Sequence, residues 1–305
     1  MAKRALLLIN RHARHGQSKL AEAIDYLKQT GLILLEESTD QSQSLADIIR
    51  QYQEQVDVVI VGGGDGTLNA AVDGLIDTKL PLGILPLGTA NDLARTLKIP
   101  TDLRSACQII VEGQQTQIDL GWVNGKHFFN VASLGLSVQI THQLDKNLKR
   151  RWGVLAYAIA ALKVLAKARP FSAQIRLNNG EPFTLKTVQV AVGNGRYYGG
   201  GMAVDQRAEI DDQRLDLYSL NIKHWWQMLM ILPAMRSGQH TASRYVTHFR
   251  CREVEVVTRR AHDINTDGEI TAKTPAQFRV IPKAISVFVP ASAEASNRTP
   301  SSLNS

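Results

Sequence analysis

The sequence predicts an α/β plus mainly β protein. An amino-terminal doubly wound domain of three αβα layers is followed by a carboxy-terminal antiparallel, β-sandwich-like domain. Three observations predict it. Short apolar runs alternate with longer helical patterns from residue 4 to about 111, strand-rich segments with Gly and Asn turns follow from about 115, and one apolar strand runs straight into a glycine-rich turn and a helix. The length agrees, because 305 residues at roughly 150 per domain suggest two units, each able to bury a core without disulfides or metals.

In the first part the strand-like runs are 5–9, 32–35, 56–61 and 82–85, and the helix-like stretches lie around 17–29, 43–54, 67–77, 89–97 and 102–112. This alternation indicates βαβ units and a mostly parallel sheet, punctuated by Pro81, Pro86 and Pro100. The second part reads as strands at 115–123, 126–134, 171–178, 183–193, 214–220, 252–258 and 261–266. Helical patterns around 148–167 and 224–236 interrupt them. The expected division is 1–122, then 123–283, then a return strand within 284–290 carried by the apolar run 285–289. Residues 291–305, rich in Ser, Ala, Asn and Pro, read as a disordered tail.

Charge narrows the function classes. Thirty-five Lys and Arg against 28 Asp and Glu give a net +7, which first suggests nucleic acid. Between 146 and 169, however, lie seven cations (Lys146, Lys149, Arg150, Arg151, Lys163, Lys167 and Arg169) and no acid, and removing them leaves 28 against 28. No recognition-helix framework or aromatic RNA-binding strand accompanies the stretch, so nucleic acid is not expected. The two cysteines, Cys107 and Cys251, form no CxxC or Cys/His pair, which fits a reducing cytoplasm. The amino-terminal apolar run is too short for a signal peptide. The charge-free core of 152–166 is too short to span a bilayer. No HExxH pair or Gly-x-Ser-x-Gly elbow supports a zinc or serine hydrolase.

The chemistry concentrates at Gly62-Gly63-Gly64-Asp65-Gly66-Thr67, between an apolar strand and a helix. Unpaired N–H groups and the helix dipole make such a turn an anion site, with phosphate the expected guest. It is neither a P-loop, which needs Lys-Ser/Thr at its end, nor a dinucleotide fingerprint, since Asn69 stands where the third glycine belongs. A carboxylate at Asp65 repels polyphosphate unless a cation or sugar hydroxyl intervenes, which favours a kinase-like site. The alternative is a glycine-rich turn with Asp65 as helix N-cap. The next βα junction, Pro86-Leu87-Gly88-Thr89-Ala90-Asn91-Asp92, is a second small-residue turn with Thr89 as N-cap candidate. In a doubly wound sheet the two loops would lie side by side in the crevice.

These two loops resemble those of the diacylglycerol-kinase catalytic family, in its prokaryotic lipid-kinase branch. The resemblance continues through Ile118-Asp119-Leu120-Gly121, Phe129-Asn130-Val131-Ala132-Ser133, the segment from Gly193-Asn194-Gly195-Arg196 to Gly199-Gly200-Gly201-Met202, Ile210-Asp211-Asp212 and Asp267-Gly268-Glu269. It covers nearly the whole chain. Gly-Gly-Asp-Gly-Thr alone is shared with NAD kinases and phosphofructokinases; the ordered set is more specific.

The resemblance implies that 1–122 bind ATP and 123–283 carry the lipid substrate and metal. Nucleotide would contact Thr39, Gly64, Asp65, Gly66, Thr67, Leu68, Asn69, Ala70 and Thr89. Position 70 is usually Glu in the family, so Ala70 removes a polar contact. The family's Asn-Pro start appears as Asn10-Arg11-His12, without the Pro, and no contact is carried onto it. Glu269 and Asp267 are the implied catalytic carboxylates, one accepting the proton of a lipid hydroxyl. Read locally, Asp267-Gly268 is a hairpin turn. An implied Mg²⁺ site takes Glu209, Asp212 and the backbone carbonyl of Arg214, oxygen ligands suited to a hard ion. Gln213 replaces the family's usual Gly there, and the same segment also reads as a solvated acidic turn.

The implied activity is ATP-dependent, Mg²⁺-requiring phosphorylation of a lipid hydroxyl on diacylglycerol, phosphatidylglycerol or a similar lipid. It would take place in the cytoplasm with peripheral contact to an anionic membrane. The basic residues before Trp152 suit anionic headgroups, and equally a solvated lead-in to a core helix. Trp225 to Leu232 reads as a core helix or an acyl-chain contact. The competing functions are an NAD kinase and a non-catalytic membrane-associated lipid-binding regulator.

Overall fold

The computed structural model describes residues 3–9, 17–38, 43–143, 169–222 and 224–291. Thr39, the 10–16 loop, the helical pattern at 148–167, Lys223, nearly all of the basic segment and the tail beyond 291 lie outside the described residues.

Four strands, β1 (Arg4–Ile9), β2 (Ile33–Ser38), β3 (Val58–Gly63) and β4 (Leu82–Pro86), pair in parallel in the order β2-β1-β3-β4. Between them run α1 (Gln17–Gln29), α2 (Leu45–Gln51) and α3 (Asp65–Thr78), followed by α4 (Asp92–Thr96) and α5 (Leu103–Glu112). Helix α1 packs with α5, and α2 with α3. Covering both faces of the sheet explains why β1 and β3 are uninterrupted apolar runs, buried from Ala5 to Ile9 and throughout Val58–Gly63. Helix starts follow local chemistry: Ser44 accepts from Asp47 N at 3.1 Å and Asp102 from Ser105 N at 2.9 Å. Gly74 lets α2 and α3 touch, since a Cβ there would stand 2.7 Å from the Ala46 carbonyl oxygen.

The second part packs two sheets face to face. One is antiparallel throughout: β14 (Val246–Cys251), β13 (Leu215–Leu220), β10 (Gln189–Gly193), β7 (Val131–Gly135), β16 (Asp263–Thr266) and β17 (Glu269–Lys273), in that order. Opposite it lie β5 (Gln114–Val123), β6 (Lys126–Phe128), β8 (Phe171–Leu177), β9 (Phe183–Thr187), β15 (Glu253–Thr258) and β18 (Ala276–Val289). Phe128, Leu134, Val192, Leu217, Val256 and Phe278 fill the space between them. A short ribbon, β11 (Tyr197–Tyr198) with β12 (Met202–Ala203), and helices α6 (Leu136–Gln143) and α7 (Trp225–Ser237) complete the described chain.

Strand β18 joins the two halves. It pairs antiparallel with β15 through Ala276 to Arg279, with β5 along most of its length, and in parallel with β4 at Val287 and Leu82. The run 285–289 is thus the end of a 14-residue strand. Pro282 hides this in the sequence, and the strand tolerates it through an irregularity between Ile281 and Ile285, with Lys283 at φ 49°.

Other elements differ locally from the sequence reading. The segments 126–134 and 183–193 each break into two strands. Strands β14 and β17 were not expected: β17 is a five-residue edge strand without a buried residue, and its alternation rests on Ile270 and Ala272 alone. Helix α4 is shorter than 89–97, and its N-cap is Asn91, in the left-handed region at φ 50°, rather than Thr89. Cys107 and Cys251 are buried and unpaired with each other. Among the described residues no helix is long and apolar enough to cross a membrane.

Candidate active site

The first glycine loop is built by contact. A Cβ on Gly63 would stand 2.5 Å from Thr67 Cβ and Oγ1, and one on Gly88 would stand 2.4 Å from Gly64 Cα. The two βα loops therefore touch backbone to backbone. Gly64 caps α3 with its carbonyl, which accepts from Thr67 N at 3.0 Å and Leu68 N at 3.1 Å. The first N–H groups of α3 have no intrahelical acceptor and, with the helix dipole, offer donors to an anion. In the second loop Asn91 is the brace: its Oδ1 accepts from Gly88 N and its Nδ2 donates to Gly88 O, both at 2.9 Å.

Asp65 does not cap its own helix. As the first residue of α3 it reaches across the crevice, and its Oδ1 accepts from Leu93 N at 3.0 Å, at the start of α4. The remaining nucleotide candidates separate by exposure. Gly66, Ala70 and Thr89 are exposed, Thr67 and Asn69 are half-buried, and Leu68 is buried in the α/β core, so only its backbone is available to a ligand.

The carboxylate turn arrives from the other half of the chain. Asp267 at φ 48° and Gly268 at φ 100° form the two-residue turn between β16 and β17. The Asp267 carboxylate accepts three backbone N–H groups, from Phe129 at 2.7 Å, Asn130 at 3.0 Å and Val131 at 3.1 Å. Burial pushes its pKa up to about 6; the three amides pull the other way, and the Asp65 charge adds to the rise. With both oxygens engaged, Asp267 holds the turn in place. Glu269 is exposed, and its Oε1 lies 3.5 Å from where a Cβ on Gly66 would stand. Of the two carboxylates, Glu269 is the one presented to the start of α3.

A third loop closes the arrangement. Gly199, Gly200 and Gly201 all have positive φ, and Gly200 N donates to both oxygens of Asp92, at 2.9 and 3.2 Å. Asp92 is buried, and burial, with the nearby Asp65 charge, raises its pKa. Arg95 lies against the same turn: its Cζ is 3.5 Å from a Cβ placed on Gly201 and 5.9 Å from the centre of the Tyr197 ring. A cavity of about 270 Å³ beside the second loop is lined by Asn91, Arg95 and Lys98, which brings two cations close to the crevice. Asn91, Asp92 and Arg95 received no individual role from the sequence. The signal available was a carboxylate directly after a glycine turn; nothing local marks Arg95.

The implied metal loop lies apart from these groups in the chain. Glu209 is exposed, and half-buried Asp212 accepts from Arg214 N at 3.0 Å while its Oδ2 lies 3.9 Å from an Arg250 terminal nitrogen. Gln213 adopts φ 60°, the conformation a glycine would take, so the turn survives the replacement. Buried Asp119 holds it, accepting from Gln213 N at 2.6 Å and from Lys283 N, in the β18 irregularity, at 2.7 Å. Among the described residues no three His, Cys, Asp or Glu side chains gather as a metal cluster.

A phosphate-cradling helix start, a second glycine loop against it and a free carboxylate brought in by a β-rich half define a phosphotransferase. Residues 4–123 match the family model described as the diacylglycerol kinase catalytic domain, and 130–289 match that of the YegS C-terminal NAD kinase beta sandwich-like domain. The chain belongs to the diacylglycerol-kinase catalytic-domain family, and its reaction class is phosphoryl transfer to an alcohol group. It is 28% identical to a diacylglycerol kinase of Staphylococcus aureus strain bovine RF122 over 295 residues, covering 95% of this chain and 93% of the relative. The corresponding Staphylococcus saprophyticus enzyme is also 28% identical, over 95% of this chain and 96% of its own. A crystal structure described as a diacylglycerol kinase from Bacillus anthracis strain Sterne shares the fold, with a TM-score of 0.78 and 24% identity over 94% of this chain and 97% of that one.

Proposed function

We propose that the protein transfers the γ-phosphate of ATP to the hydroxyl of a membrane lipid such as diacylglycerol or phosphatidylglycerol. The observation that carries this reading is the approach of the unencumbered Glu269 carboxylate to Gly66, at the phosphate-cradling start of α3. In the reaction Glu269 accepts the hydroxyl proton, the alcohol oxygen forms the new bond to the γ-phosphorus, and the bond from that phosphorus to the β-phosphate oxygen breaks to release ADP. The amides of the two glycine loops hold the phosphates, and Arg95 and Lys98 add positive charge beside them. Asp267 keeps Glu269 in place, and Asp65 and Asp92 tie α4 to the first loop and to the Gly199–Gly201 turn.

The residues fit a Mg²⁺ ion that arrives with the nucleotide. Such an ion takes one or two protein carboxylates and keeps phosphate and water oxygens for the rest. The Asp65 oxygen not bonded to Leu93 is available for it, which leaves Glu269 to the proton, and an uncompensated acid beside polyphosphate would repel it. When bound, the ion offsets charge on the transferring phosphoryl group. A second Mg²⁺ is assigned by the same proposal to Glu209, Asp212 and the Arg214 carbonyl. Labour divides with 1–122 and the 284–290 return strand holding nucleotide, and 123–283 presenting the lipid. Trp226 and Met230, exposed on α7 and one turn apart, support peripheral membrane contact, as does the basic 146–169 composition.

The test is a transfer assay with labelled ATP and Mg²⁺, offering diacylglycerol, phosphatidylglycerol and NAD separately. Lipid is labelled by the wild-type protein, and Glu269→Gln lowers the rate by about 10²–10⁴-fold with nucleotide binding retained. Labelling of NAD alone, or full lipid kinase activity in the variant, overturns the reading.

A further inference from the structure

The cleft of the glycine loops is not the only place on the molecule built for an anion. A second cavity, of about 530 Å³, opens on the β-rich half and is lined by Asn178, Asn179, Arg214, Arg250, Arg252 and Glu253, with buried Cys251 also in the lining. We propose that it binds a phosphate ester.

Its frame is fixed before any ligand arrives. Asn178 and Asn179, at φ 45° and 60°, make the tight turn between β8 and β9, closed by Gly180 N on Leu177 O at 2.8 Å. The Asn178 side-chain oxygen accepts from Arg252 N at 2.9 Å and Glu253 N at 3.2 Å, and the Asn178 backbone N–H donates to Glu253 O at 3.0 Å. Three hydrogen bonds thus fasten the hairpin to the corner where β14 passes into β15. Asn179 is left with a side-chain amide facing no partner among the described residues.

The guanidinium groups supply the chemistry. Arg250 is half-buried and held along one edge: Nε donates to Asp216 at 2.9 Å and Nη2 to the Arg207 carbonyl at 2.8 Å. Asp216 is itself buried, so this anchor is rigid. Nη1 of Arg250 has no partner among the described residues, nor do the guanidiniums of Arg214 and Arg252, both exposed. Arg250 is already balanced by Asp216 at 2.9 Å and Asp212 at 3.9 Å, which leaves Arg214 and Arg252 in the lining with Glu253. What the lining offers an anion is the unengaged donors of Arg214, Arg252 and Arg250 Nη1, and planar guanidinium forks match the oxygens of a phosphate. The cavity is open to solvent and roomy enough for an ester with its organic part. The chemistry is common to a soluble phosphate ester and an anionic lipid headgroup.

The experiment titrates the full chain, with its nucleotide loops saturated by a non-hydrolysable ATP analogue and Mg²⁺. The probes are glycerol 3-phosphate, inorganic phosphate and vesicles of phosphatidylcholine with or without phosphatidic acid. Wild-type protein binds at least one phosphate probe, and Arg252→Ala weakens that binding by about tenfold or more. Arg252→Lys, which keeps the charge but not the fork, also weakens it. Affinity for the ATP analogue, measured separately, is unchanged in both variants. Binding of the soluble probes identifies a free ester; binding only of phosphatidic acid vesicles identifies a headgroup. Wild-type protein that binds none of the probes, or Arg252 variants that bind them as wild type does, overturns the proposal.

Discussion

Gly64 and Gly88 meet backbone to backbone, so that a Cβ on Gly88 would stand 2.4 Å from the Gly64 Cα and 2.7 Å from Asn91 Oδ1. The neighbours here are a helix cap and the side chain that braces the second loop, neither of which can swing aside. Gly88→Ala therefore costs about 1–3 kcal/mol of stability and spreads the two phosphate loops. Gly64→Ala, whose Cβ would meet Gly88 Cα at 3.1 Å, is milder. Isothermal titration with ATP reads the order: affinity falls more in Gly88→Ala than in Gly64→Ala. Equal, wild-type affinities would show that the loops do not act as one cradle.

Asp92 separates stability from activity. Burial and the Asp65 charge raise its pKa, so the charge of this carboxylate costs the fold stability that a neutral side chain would not. Asp92→Asn removes that charge and keeps an oxygen for Gly200 N, and is expected to be at least as stable as wild type in urea at pH 7. Asp92→Ala loses the acceptor, frees the Gly199–Gly201 turn and lowers lipid phosphorylation by about tenfold or more through misplacement. The pairing of denaturation with initial rates checks both. An Asn variant as active and as weakly folded as the Ala variant would contradict the assignment.

The sequence was most legible where one physical cause sufficed. Uninterrupted apolar runs marked β1 and β3 because both faces of a parallel sheet are buried, and a strand entering Gly62-Gly63-Gly64-Asp65 marked the phosphate cradle because only glycine permits that approach. What was hidden depends on partners far along the chain. Asp267 and Glu269 look alike as two acids on a hairpin, and only the amides of Phe129, Asn130 and Val131 distinguish the anchored carboxylate from the free one. Strand β17 has no buried face to betray it, and β18 conceals its length behind Pro282. Asp119 and Asp92 stood inside recognised motifs, yet their tasks, tying together segments many residues apart, have no local signature.

Gln213 carries a backbone conformation that costs an L-residue about 1–2 kcal/mol. Its N–H bond to Asp119 is made by the main chain and survives any substitution but proline. Gln213→Gly relieves the strain at some cost in unfolded-state entropy, and a net gain of about 0.5–1 kcal/mol is expected. The midpoint of urea unfolding moves up without a change in slope. A lowered midpoint would mean that the glutamine side chain contributes more than its backbone costs.

Asp267 makes stability depend on pH in a direction opposite to that of most paired carboxylates. Its folded-state pKa is pushed up to about 6, above the ordinary value near 3.9. Between these values the folded protein holds a proton that the unfolded chain has released. By linkage the contribution of this group is fully present below pH 4 and is lost as pH rises through 6. Asp267→Asn cannot titrate, so the stability difference between wild type and variant shrinks as pH climbs from 4 to 6 and is flat above 7. The variant is less stable throughout, because its amide nitrogen must face one of the three N–H donors from Phe129, Asn130 and Val131. Glu269 remains chemically intact in this protein but loses its anchor, so the rate of phosphoryl transfer falls while the affinity for nucleotide holds. Urea unfolding of both proteins at pH 4, 5, 6 and 7 measures the slope. A difference that stays constant over this range would show that Asp267 is ionised throughout, and that its three amides outweigh its burial.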